Sequence, residues 1–535
     1  MKKVSFTLLI FYALFYTANA QSFQLVKDLY PQTENILYDY DAGMTFFNGK
    51  VYFTSYYGDI VASDGTSAGT SILSNIGMQK MTAMDFRKNR FVPMGGKLYY
   101  INSRNELCVT DGTAPGTQIV TDIHPTDSSK FYGVKSILGA NDDKLFLVGH
   151  DGVSGYELWV SDGSANGTQI VKDMVPGGPG FFPSSSRHHI GTVINNKLYF
   201  FANDVTNGWE PWVSDGTEAG TFMLINSNPS GHCSNQMAST YGGYAGSEMK
   251  FFSFNNAVYF VGFGGIYKTD GTTAGTTLEL NGANYGANQV ITMCTFNNHL
   301  YFNQFHAGNK RSLTKSDGTI AGTVVVDTLN KTLIRAFQEF NGELYLLCND
   351  QVNSSSGDYI AKLNGMEVDS ITRRTPGYFN YLVNFLQPIG NDFLYMGDYT
   401  NHAIYRYNNG ANTLANTDFT STYDNLLNTP IGTFAIGTSA TYGYELWKWE
   451  DDASDTKKIV ADDDLVVYPI PTRNTLNITS EDNTDIRILN VSGSVVLKEH
   501  LNKGINTIDV SMLVDGLYFM YCKKGTVKRF IIKDN

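Results

Sequence analysis

The residues whose type and spacing best suit chemistry are the aspartates of a recurring Asp-Gly pair. Six copies of Asp-Gly-Thr/Ser-x-x-Gly-Thr place them at Asp64, Asp111, Asp162, Asp215, Asp270 and Asp317. Repeated aspartate turns bind calcium in some proteins, but each turn here offers one carboxylate and calcium takes six to eight oxygens. Asp-Gly also suits a tight hairpin, because both positions accept φ > 0 and the aspartate bonds its own turn. We predict a structural turn and no metal site.

Four glutamates share one repeat position and are the candidates for a catalytic carboxylate pair: Glu106, Glu157, Glu210 and Glu445. Glycosidases need two carboxyl groups roughly 5–10 Å apart. Equivalent positions of different repeats are held apart by the repeats themselves. We therefore predict glutamates at strand edges, held by a neighbouring backbone or cation, and no catalytic residue.

Histidine and tryptophan suggest no site either. His188 and His189 are adjacent, and neighbours on an extended segment point to opposite faces, so they are poor joint ligands. The chain contains none of the linear metalloprotease, serine-hydrolase or phosphate-loop motifs. Sugar stacking is one use for the tryptophans Trp159, Trp212, Trp447 and Trp449. Three of them occupy repeat positions, and for those we expect packing between repeats. No cofactor-binding or metal-binding residue is predicted.

These residues lie on a repeat of about nine copies. The clearest copies run over residues 156–173 and 210–221, and the Asp-equivalent positions are separated by 47, 51, 53, 55, 47, 47, 44 and 42 residues. Upstream of each, a turn dipeptide precedes an aromatic-rich strand such as Leu198-Tyr199-Phe200. One unit therefore predicts four strands: a short apolar one, the Leu-Tyr-Phe strand, the Glu-Leu-Trp strand and the Thr-x-x-Val strand. Four antiparallel strands in 45–50 residues is typical of a β-propeller blade.

Residues 23–29 resemble the fourth strand of a unit, at 118–123, although no other strand of a unit precedes them. A displaced strand of this kind can complete the last blade and leave no open edge. The sequence thus predicts an all-β fold, a propeller of eight or nine four-stranded blades over residues 21–451. An open solenoid is the alternative.

Composition limits the classes of partner. Charged residues make up 17% of the chain and aromatic residues 13%, which suits short buried strands. The net charge of −12 argues against a nucleic-acid partner and against binding to anionic lipid. Five widely spaced cysteines, with no C-x-x-C pair, predict mostly buried free thiols.

The first twenty residues predict a removable signal for export. Lys2 and Lys3 precede an apolar stretch, and Thr17-Ala18-Asn19-Ala20 ends in a small-residue cleavage site between Ala20 and Gln21. The apolar run is short for a spanning helix, and no later segment suits one, so we predict no transmembrane segment. An N-terminal membrane anchor is the alternative.

The Glu-Leu-Trp-x-x-Asp-Gly-Thr signature resembles the ELWxxDGT repeat of secreted bacterial proteins. The resemblance spans roughly residues 23–450, and it is tight at 157–168 and 210–221. It implies an extracellular repeat protein and brings no settled activity with it.

After an acidic linker at 452–464, residues 465–535 contain six or seven short strands, which suits a small immunoglobulin-like β-sandwich. This tail resembles the type A C-terminal sorting domain of the type IX secretion system of Bacteroidetes. The motif residues are Tyr468, Pro469, Pro471, Gly493, Gly516 and Tyr518. Ile470 departs from the asparagine usual in the family. The resemblance implies the secretion machinery as a partner, passage across the outer membrane and removal of the domain, with the protein anchored at the surface or released. A plain immunoglobulin-like domain is the alternative.

Two functions fit these features. The first is a non-enzymatic secreted or cell-surface protein that holds a glycan or protein ligand at the loops or channel mouth. The second is a secreted polysaccharide- or peptide-degrading enzyme with its site in the propeller channel. Because the linear motifs of enzymes are missing, we favour binding, and the loops of units three to five, with steps of 51–55 residues, are the places to look.

Overall fold

The computed structural model is an all-β protein, with no helix among the residues it describes. These residues are 22–29, 43–55, 59–74, 91–102, 104–125, 132–178, 180, 182, 191–229, 251–281, 287–306, 310–327, 332–350, 358–373, 386–389, 392–398, 403–408, 411–415, 419–439, 441–450, 465–468, 474–480, 482–490, 495–514, 516–522 and 527–532. The chain divides into two compact units, residues 25–448 with 491–493 and residues 1–24, 449–490 and 494–535.

Nine four-stranded sheets follow one another along the described part of the chain up to residue 450, numbered here in chain order with strands a to d in each. The first strand of the chain is β1 (Ser22–Lys27). Sheet 1 contains β2 (Thr45–Phe47), β3 (Lys50–Thr54), β4 (Ile60–Ser63) and β5 (Ser71–Ser74). Sheet 2 contains β6 (Val92–Met94), β7 (Lys97–Ile101), β8 (Leu107–Thr110) and β9 (Gln118–Thr121). Sheet 3 contains β10 (Gly133–Ala140), β11 (Leu145–His150), β12 (Glu157–Ser161) and β13 (Gln169–Lys172).

The next three sheets have the same order. Sheet 4 contains β14 (Gly191–Ile194), β15 (Lys197–Asn203), β16 (Trp209–Ser214) and β17 (Phe222–Met223). Sheet 5 contains β18 (Phe252–Phe254), β19 (Ala257–Gly262), β20 (Gly265–Thr269) and β21 (Thr277–Asn281). Sheet 6 contains β22 (Ala287–Phe296), β23 (His299–His306), β24 (Lys310–Ser316) and β25 (Val324–Asp327).

The last three sheets end the series. Sheet 7 contains β26 (Thr332–Phe340), β27 (Glu343–Asp350), β28 (Asp358–Asn364) and β29 (Glu367–Arg373). Sheet 8 contains β30 (Gln387–Ile389), β31 (Asp392–Asp398), β32 (Ala403–Asn408) and β33 (Ala411–Leu414). Sheet 9 contains β34 (Thr420–Thr429), β35 (Gly432–Ser439) and β36 (Gly443–Glu450), and its fourth strand is β1. The predicted order of strands within a unit and the predicted place of residues 23–29 are both confirmed.

Sheet 3 shows why these sequences form strands that are buried on both faces. Its Leu-Phe-Leu strand β11 pairs antiparallel with the Glu-Leu-Trp strand β12, with Leu147 opposite Trp159. All five residues of β12 are buried. Continuous runs of apolar and aromatic residues are expected where neighbouring sheets cover both faces of a strand.

Two residues join strands a and b in most sheets; sheet 3, with the four residues 141–144, is an exception. In sheets 4, 5 and 6 both turn residues are asparagine with positive φ, as at Asn195 and Asn196 with φ of 50° and 61°. Asn48 with Gly49 and Asn341 with Gly342 have the same conformation. Positive φ at both central positions is the type I′ turn, whose twist matches that of the flanking strands.

Successive sheets pack through shared buried clusters. The residues that share a cluster across neighbouring sheets are Tyr52 with Tyr100 (sheets 1 and 2), Tyr99 with Leu147 (2 and 3), Phe146 with Phe200 (3 and 4), Tyr199 with Phe260 (4 and 5), Tyr259 with Phe302 (5 and 6) and Tyr301 with Leu346 (6 and 7). Phe393 of sheet 8 lies with its ring centroid 5.5 Å from that of Tyr345 in sheet 7. Apolar burial of this kind is the main stabilising term in the fold.

The last sheet packs against both the eighth and the first. The Asn428 N–H of sheet 9 donates to the Gln387 side chain of sheet 8 over 2.9 Å. Phe434 and Ile436 of sheet 9 share a buried cluster with Val51 and Phe53 of sheet 1. Sheet 9 therefore has contacts with the sheet before it and with sheet 1.

The C-terminal unit contains two packed sheets. One has β37 (Leu465–Tyr468), β38 (Thr475–Ser480) and β41 (Gly504–Asp509), and the other has β40 (Val495–Leu501), β39 (Thr484–Asn490), β42 (Gly516–Cys522) and β43 (Val527–Ile532). Leu476 and Ile478 of the first sheet share one core with Ile488 and Met520 of the second. Two antiparallel sheets around one core form a small β-sandwich, as the sequence predicts.

Candidate functional site

The Asp-Gly motif forms a structural loop between strands c and d. In sheet 3 the Asp162 carboxylate accepts from the Ser164 N–H over 2.8 Å and from the Ser164 hydroxyl over 2.6 Å. The Ser164 hydroxyl in turn accepts from the Gly167 N–H, and Ser161 and Thr168 share a hydroxyl bond of 2.7 Å. The same bonds recur in the six loops that begin at Asp64, Asp111, Asp162, Asp215, Asp270 and Asp317.

The predicted tight hairpin at this motif is wrong. Only the glycine of each Asp-Gly pair has positive φ, for example 89° at Gly163, and the loop from Ser161 to Gln169 is too long for a two-residue turn. The aspartate serves instead as an acceptor for the two residues that follow it. The two-residue hairpins are the Asn- and Gly-rich turns between strands a and b.

The glycine of the pair makes room for the neighbouring sheet. A Cβ atom on Gly163 would lie 2.1 Å from the Tyr99 hydroxyl oxygen of sheet 2. Equivalent contacts join Tyr52 to Gly112, Tyr199 to Gly271, Tyr259 to Gly318 and, from sheet 9 to sheet 1, Phe434 to Gly65. Burial, and then the charge of Asp162, raises the pKa of Tyr99. The tyrosine of one repeat therefore packs against the Asp-Gly pair of the next repeat.

No group of three or more His, Cys, Asp or Glu side chains suited to a metal ion occurs among the residues described. The hydroxyl of the following Thr or Ser is the main cause of the lowered pKa of Asp64, Asp111, Asp162, Asp270 and Asp317.

The repeat glutamates are buried, and two of them, Glu210 and Glu445, accept hydrogen bonds from backbone N–H groups. Glu210 accepts from the Ser227 N–H over 2.9 Å, from the Ser227 hydroxyl over 2.8 Å and from the Asn228 N–H over 3.3 Å. Glu445 accepts from the Leu29 N–H over 3.0 Å, so β1 is held as the fourth strand of an ordinary sheet is held. Burial raises the pKa of Glu210, and the bonds from Ser227 and Asn228 oppose that rise. The four glutamates lie within strand c or directly before it in four different sheets, and the bonds of Glu210 and Glu445 agree with the predicted hold by a neighbouring backbone.

The tryptophans are core residues. Trp159, Trp212, Trp447 and Trp449 are all less than 9% exposed. Trp447 stacks on Phe419 at 4.6 Å between ring centroids, and Trp449 meets Phe23 of β1 edge-on at 5.3 Å. The predicted packing role is confirmed. His188 and His189 lie outside the described residues.

The two ends of each sheet differ in regularity. In a four-stranded antiparallel sheet the a–b turn and the c–d loop share one end, while the b–c loop and the exit from strand d share the other. The first end carries the Asn- and Gly-rich turns and, in sheets 1 to 6, the Asp-Gly loops. The b–c loops vary in sequence and in length, with two residues at 263–264 and six at 151–156. Variable loops on a regular scaffold are where binding residues concentrate.

Sheet 3 has four half-buried rings at this variable end, which we call the aromatic ladder: His124, Tyr132, His150 and Tyr156. Successive ring centroids lie 4.9, 4.4 and 4.7 Å apart. His124 follows strand d of sheet 2, Tyr132 precedes β10, and the other two flank the b–c loop. Among the residues described, the Nδ1 atom of His124 is buried without a hydrogen-bond partner.

The b–c loop beside the ladder is held in one conformation. Asp151 accepts from the backbone N–H groups of Val153 (2.9 Å) and Ser154 (2.8 Å) and from the Ser154 hydroxyl (3.1 Å). These bonds lower the pKa of Asp151 against the opposing effect of its burial. At the tip of the loop, Val153 is 83% exposed. A rigid loop of this kind presents its exposed side chains without a large entropy cost on binding.

Sequence reasoning named the loops of units three to five but not the four ladder residues. They come from three segments that have no common motif. One usable signal was the alignment of His150-Asp151 with Asn203-Asp204 in the next unit, which shows an imidazole where the next unit has an amide.

The sorting-motif residues lie partly within the described chain. Tyr468 ends β37, and Gly516 begins β42. Tyr518 is buried, stacks on Phe530 at 5.8 Å, and donates from its hydroxyl to the Val514 carbonyl over 2.8 Å. Pro469, Pro471 and Gly493 lie outside the described residues, as do Ala20, Gln21 and the linker at 452–464.

The structure describes four of the five cysteines, and no disulfide bond joins any two of these four: Cys108, Cys294, Cys348 and Cys522. Cys108 and Cys348 are buried, and burial raises the pKa of the Cys108 thiol to about 12. Such a thiol is a poor nucleophile. Within the described part of the chain, no helix has the length and apolar character to span a membrane.

Residues 466–533 match the family described as "Secretion system C-terminal sorting domain". This match indicates export by type IX secretion, interaction with that machinery, and a secreted or surface-associated protein. No curated protein matches the chain.

Several solved structures are similar to the chain at low identity. A structure of PorZ, a bacterial surface component of the type-IX secretion system of Porphyromonas gingivalis, is 10% identical over 92% of this chain and 81% of that chain, with a TM-score of 0.26. The computationally designed Ika8 protein is 10% identical over 67% and 95%, with a TM-score of 0.35. Puromycin hydrolase is 10% identical over 74% and 60%, with a TM-score of 0.36. At TM-scores of this size, these likenesses bear on neither fold nor function.

Proposed function

We propose that residues 21–451 form a closed propeller of nine blades, which binds a glycan outside the cell without changing it. Closure is supported by the packing of sheet 9 on sheet 1, where Phe434 faces Gly65 as Tyr99 of sheet 2 faces Gly163 of sheet 3. It is also supported by the position of β1, since a fourth strand taken from the N-terminus joins the two ends of the repeat region within one sheet. A ring closed in this way leaves no unpaired strand at its ends.

The proposal includes the order of events during export. Residues 1–20 direct export and are removed before Gln21, and the acidic stretch 452–464 links the propeller to the sorting domain at 465–535. The repeat region belongs with the ELWxxDGT proteins on the strength of its Glu-Leu-Trp and Asp-Gly-Thr residues, and the source is a member of the Bacteroidetes.

The single observation that carries the binding role is the aromatic ladder. Aromatic and imidazole rings give a sugar apolar faces and uncharged polar edges, which is how small-molecule sites combine contact area with orientation. The ladder lies at the variable end of sheet 3 beside a loop that Asp151 holds in place. The acidic chain suits an uncharged glycan better than an acidic one.

A glycan array probed with the purified body, residues 21–464, tests this proposal. We expect binding to at least one neutral glycan, with affinity reduced about tenfold or more by Tyr132→Ala, in line with a loss of roughly 1–2 kcal/mol on removing a stacked ring. Phe263→Ala is the matched control, since Phe263 is a 45% exposed aromatic side chain between strands b and c of sheet 5. It should leave binding unchanged.

Three results would contradict the proposal. Binding to no glycan excludes the sugar ligand and leaves a protein ligand to be tested by capture from the surface fraction. Equal effects of Tyr132→Ala and Phe263→Ala place the site elsewhere. Cleavage of a bound glycan or peptide during the assay means that the body is an enzyme.

A further inference from the structure

Three b–c loops share one capping bond, although their sequences differ. In sheets 2, 4 and 9 an oxygen atom of the last residue of strand b, or of the residue directly after it, accepts the backbone N–H of the residue two positions further on. The bonds are Arg104 N–H to the Asn102 amide (2.9 Å), Val205 N–H to the Asn203 amide (2.8 Å) and Thr441 N–H to the Ser439 hydroxyl (3.1 Å). Hydroxyl and amide oxygens stay acceptors at every physiological pH.

Sheet 3 uses an imidazole at this position. The Gly152 N–H donates to Nδ1 of His150 over 2.9 Å. A backbone N–H can only donate, so Nδ1 carries a lone pair and His150 is neutral in this conformation. A proton on Nδ1 turns the acceptor into a donor that faces another donor, and the bond is lost.

A second imidazole lies against the same loop residue. A Cβ on Gly152 would be 2.2 Å from Nε2 of His124, so the His124 ring packs directly on the Gly152 backbone. Any movement of Gly152 away from His150 therefore also disturbs the His124 end of the ladder. The titratable and charged groups on the elements packed around His150 are Asp122, His124, Tyr132, Lys135, Asp151, Tyr156 and Glu157.

We propose that His150 is a proton-operated latch: in mild acid it releases the Gly152 N–H and loosens the b–c loop of sheet 3 at that residue, while the equivalent bond in sheet 4 stays in place. The latch itself needs no ligand. Its consequence, weaker ligand binding at the ladder in acid, rests on the proposed function of that site.

Hydrogen–deuterium exchange of the intact mature chain tests the latch. Exchange is compared at about pH 8 and pH 5.5, a range that spans imidazole protonation, after correction for the intrinsic dependence of exchange on pH. We expect the loop that contains Gly152 to exchange about fivefold to tenfold faster in acid, the factor for loss of one ordinary hydrogen bond. The loop that contains Val205 should show no such change.

Two substitutions exchange the properties of the neighbouring loops. His150→Asn gives sheet 3 the acceptor of sheet 4 and should abolish the acid response. Asn203→His gives sheet 4 the acceptor of sheet 3 and should confer an acid response on the loop 204–208. Unchanged thermal unfolding at pH 8 shows that each variant is folded. If a variant does not fold, the comparison of the two loops within the wild-type chain still tests the latch.

Three results overturn the latch: equal acid responses of the two wild-type loops, a response that survives in His150→Asn, or no response in Asn203→His. Glycan binding at both pH values separates the latch from the proposed function. An acid-sensitive loop in a chain that binds no glycan supports the latch and contradicts the proposed glycan-binding function. Glycan binding by a chain whose loop is insensitive to acid supports the proposed function and contradicts the latch.

Discussion

Gly163 shows how one small residue serves two structural requirements. Its φ of 89° suits glycine, and its missing Cβ leaves space for the Tyr99 hydroxyl of the neighbouring sheet. Elsewhere in the chain these requirements separate. Gly264 has nearly the same φ, 84°, but nothing lies within 4 Å of the position that its Cβ would take.

We expect Gly163→Ala to destabilise the protein more than Gly264→Ala. Positive φ costs an alanine about 1–2 kcal/mol at either site. The overlap with Tyr99 adds about 1–3 kcal/mol at Gly163 only. Urea unfolding of both variants measures the difference, and equal losses would contradict an inter-sheet role for this glycine.

The c–d loop is the smallest element with its own hydrogen-bond network. In sheet 3 its bonds join Ser161, Asp162, Ser164, Gly167 and Thr168, so the loop keeps its shape although Asp162 is exposed. This accounts for the strong local signature of the repeat. Each position of the motif has a partner within seven residues.

We expect Asp162→Ala to cost about 1 kcal/mol, since two acceptor bonds to Ser164 are lost on an exposed loop. Asp162→Asn keeps an acceptor oxygen and should cost less. Thermal unfolding of both variants and the wild type checks the order.

The pH dependence of the same loop has a definite sign. The Ser164 hydroxyl is the main cause of the lowered pKa of Asp162 in the folded state. The carboxylate thus stabilises the fold above the unfolded pKa of about 3.9, and this stability is lost as pH falls through the lower folded value. The advantage of the wild type over Asp162→Asn should therefore be constant from pH 7 to about 5 and shrink below pH 4. A constant difference down to pH 3 would contradict this linkage.

At the scale of the whole repeat region, β1 connects residues that are more than 400 positions apart. The Leu29 N–H reaches Glu445 across 416 residues, and Phe23 of β1 is 2% exposed. Without β1, strand β36 would present a free edge, and free edges promote association between chains.

Deletion of residues 22–29 should therefore lower the melting temperature of the body and produce dimers or larger species on size exclusion. A synthetic peptide of residues 22–29, added in trans, should restore the monomer. Phe23→Ala should cost about 3–5 kcal/mol as a core truncation, and Gln24→Ala, at an exposed position of the same strand, should cost little. A stable monomer after deletion would exclude the closing role of β1.

Much of the architecture was predictable because its signals are local. Asn195-Asn196 and the residues after Asp162 determine turns through bonds within a few positions, and Leu198-Tyr199-Phe200 marks a buried strand through composition alone. The hairpin assignment of Asp-Gly failed for a physical reason. The dipeptide suits both a two-residue turn and a longer capped loop, and the bonds to Gly167 and Thr168 select the longer one.

The sequence by itself determined the strand order within a unit, the repeat, the fourth-strand character of residues 23–29 and the sorting tail, because each depends on residues close together in the chain. Only the tertiary structure decided which side chains meet. His124, Tyr132 and His150 come from two sheets and the segment between them, and Tyr99 meets Gly163 across 64 positions. Contacts of this kind follow from how sheets pack on one another. The local preferences of residues do not encode such contacts. The aspartates of the Asp-Gly pairs hold loops in shape, and the candidate site lies at the opposite end of the sheets.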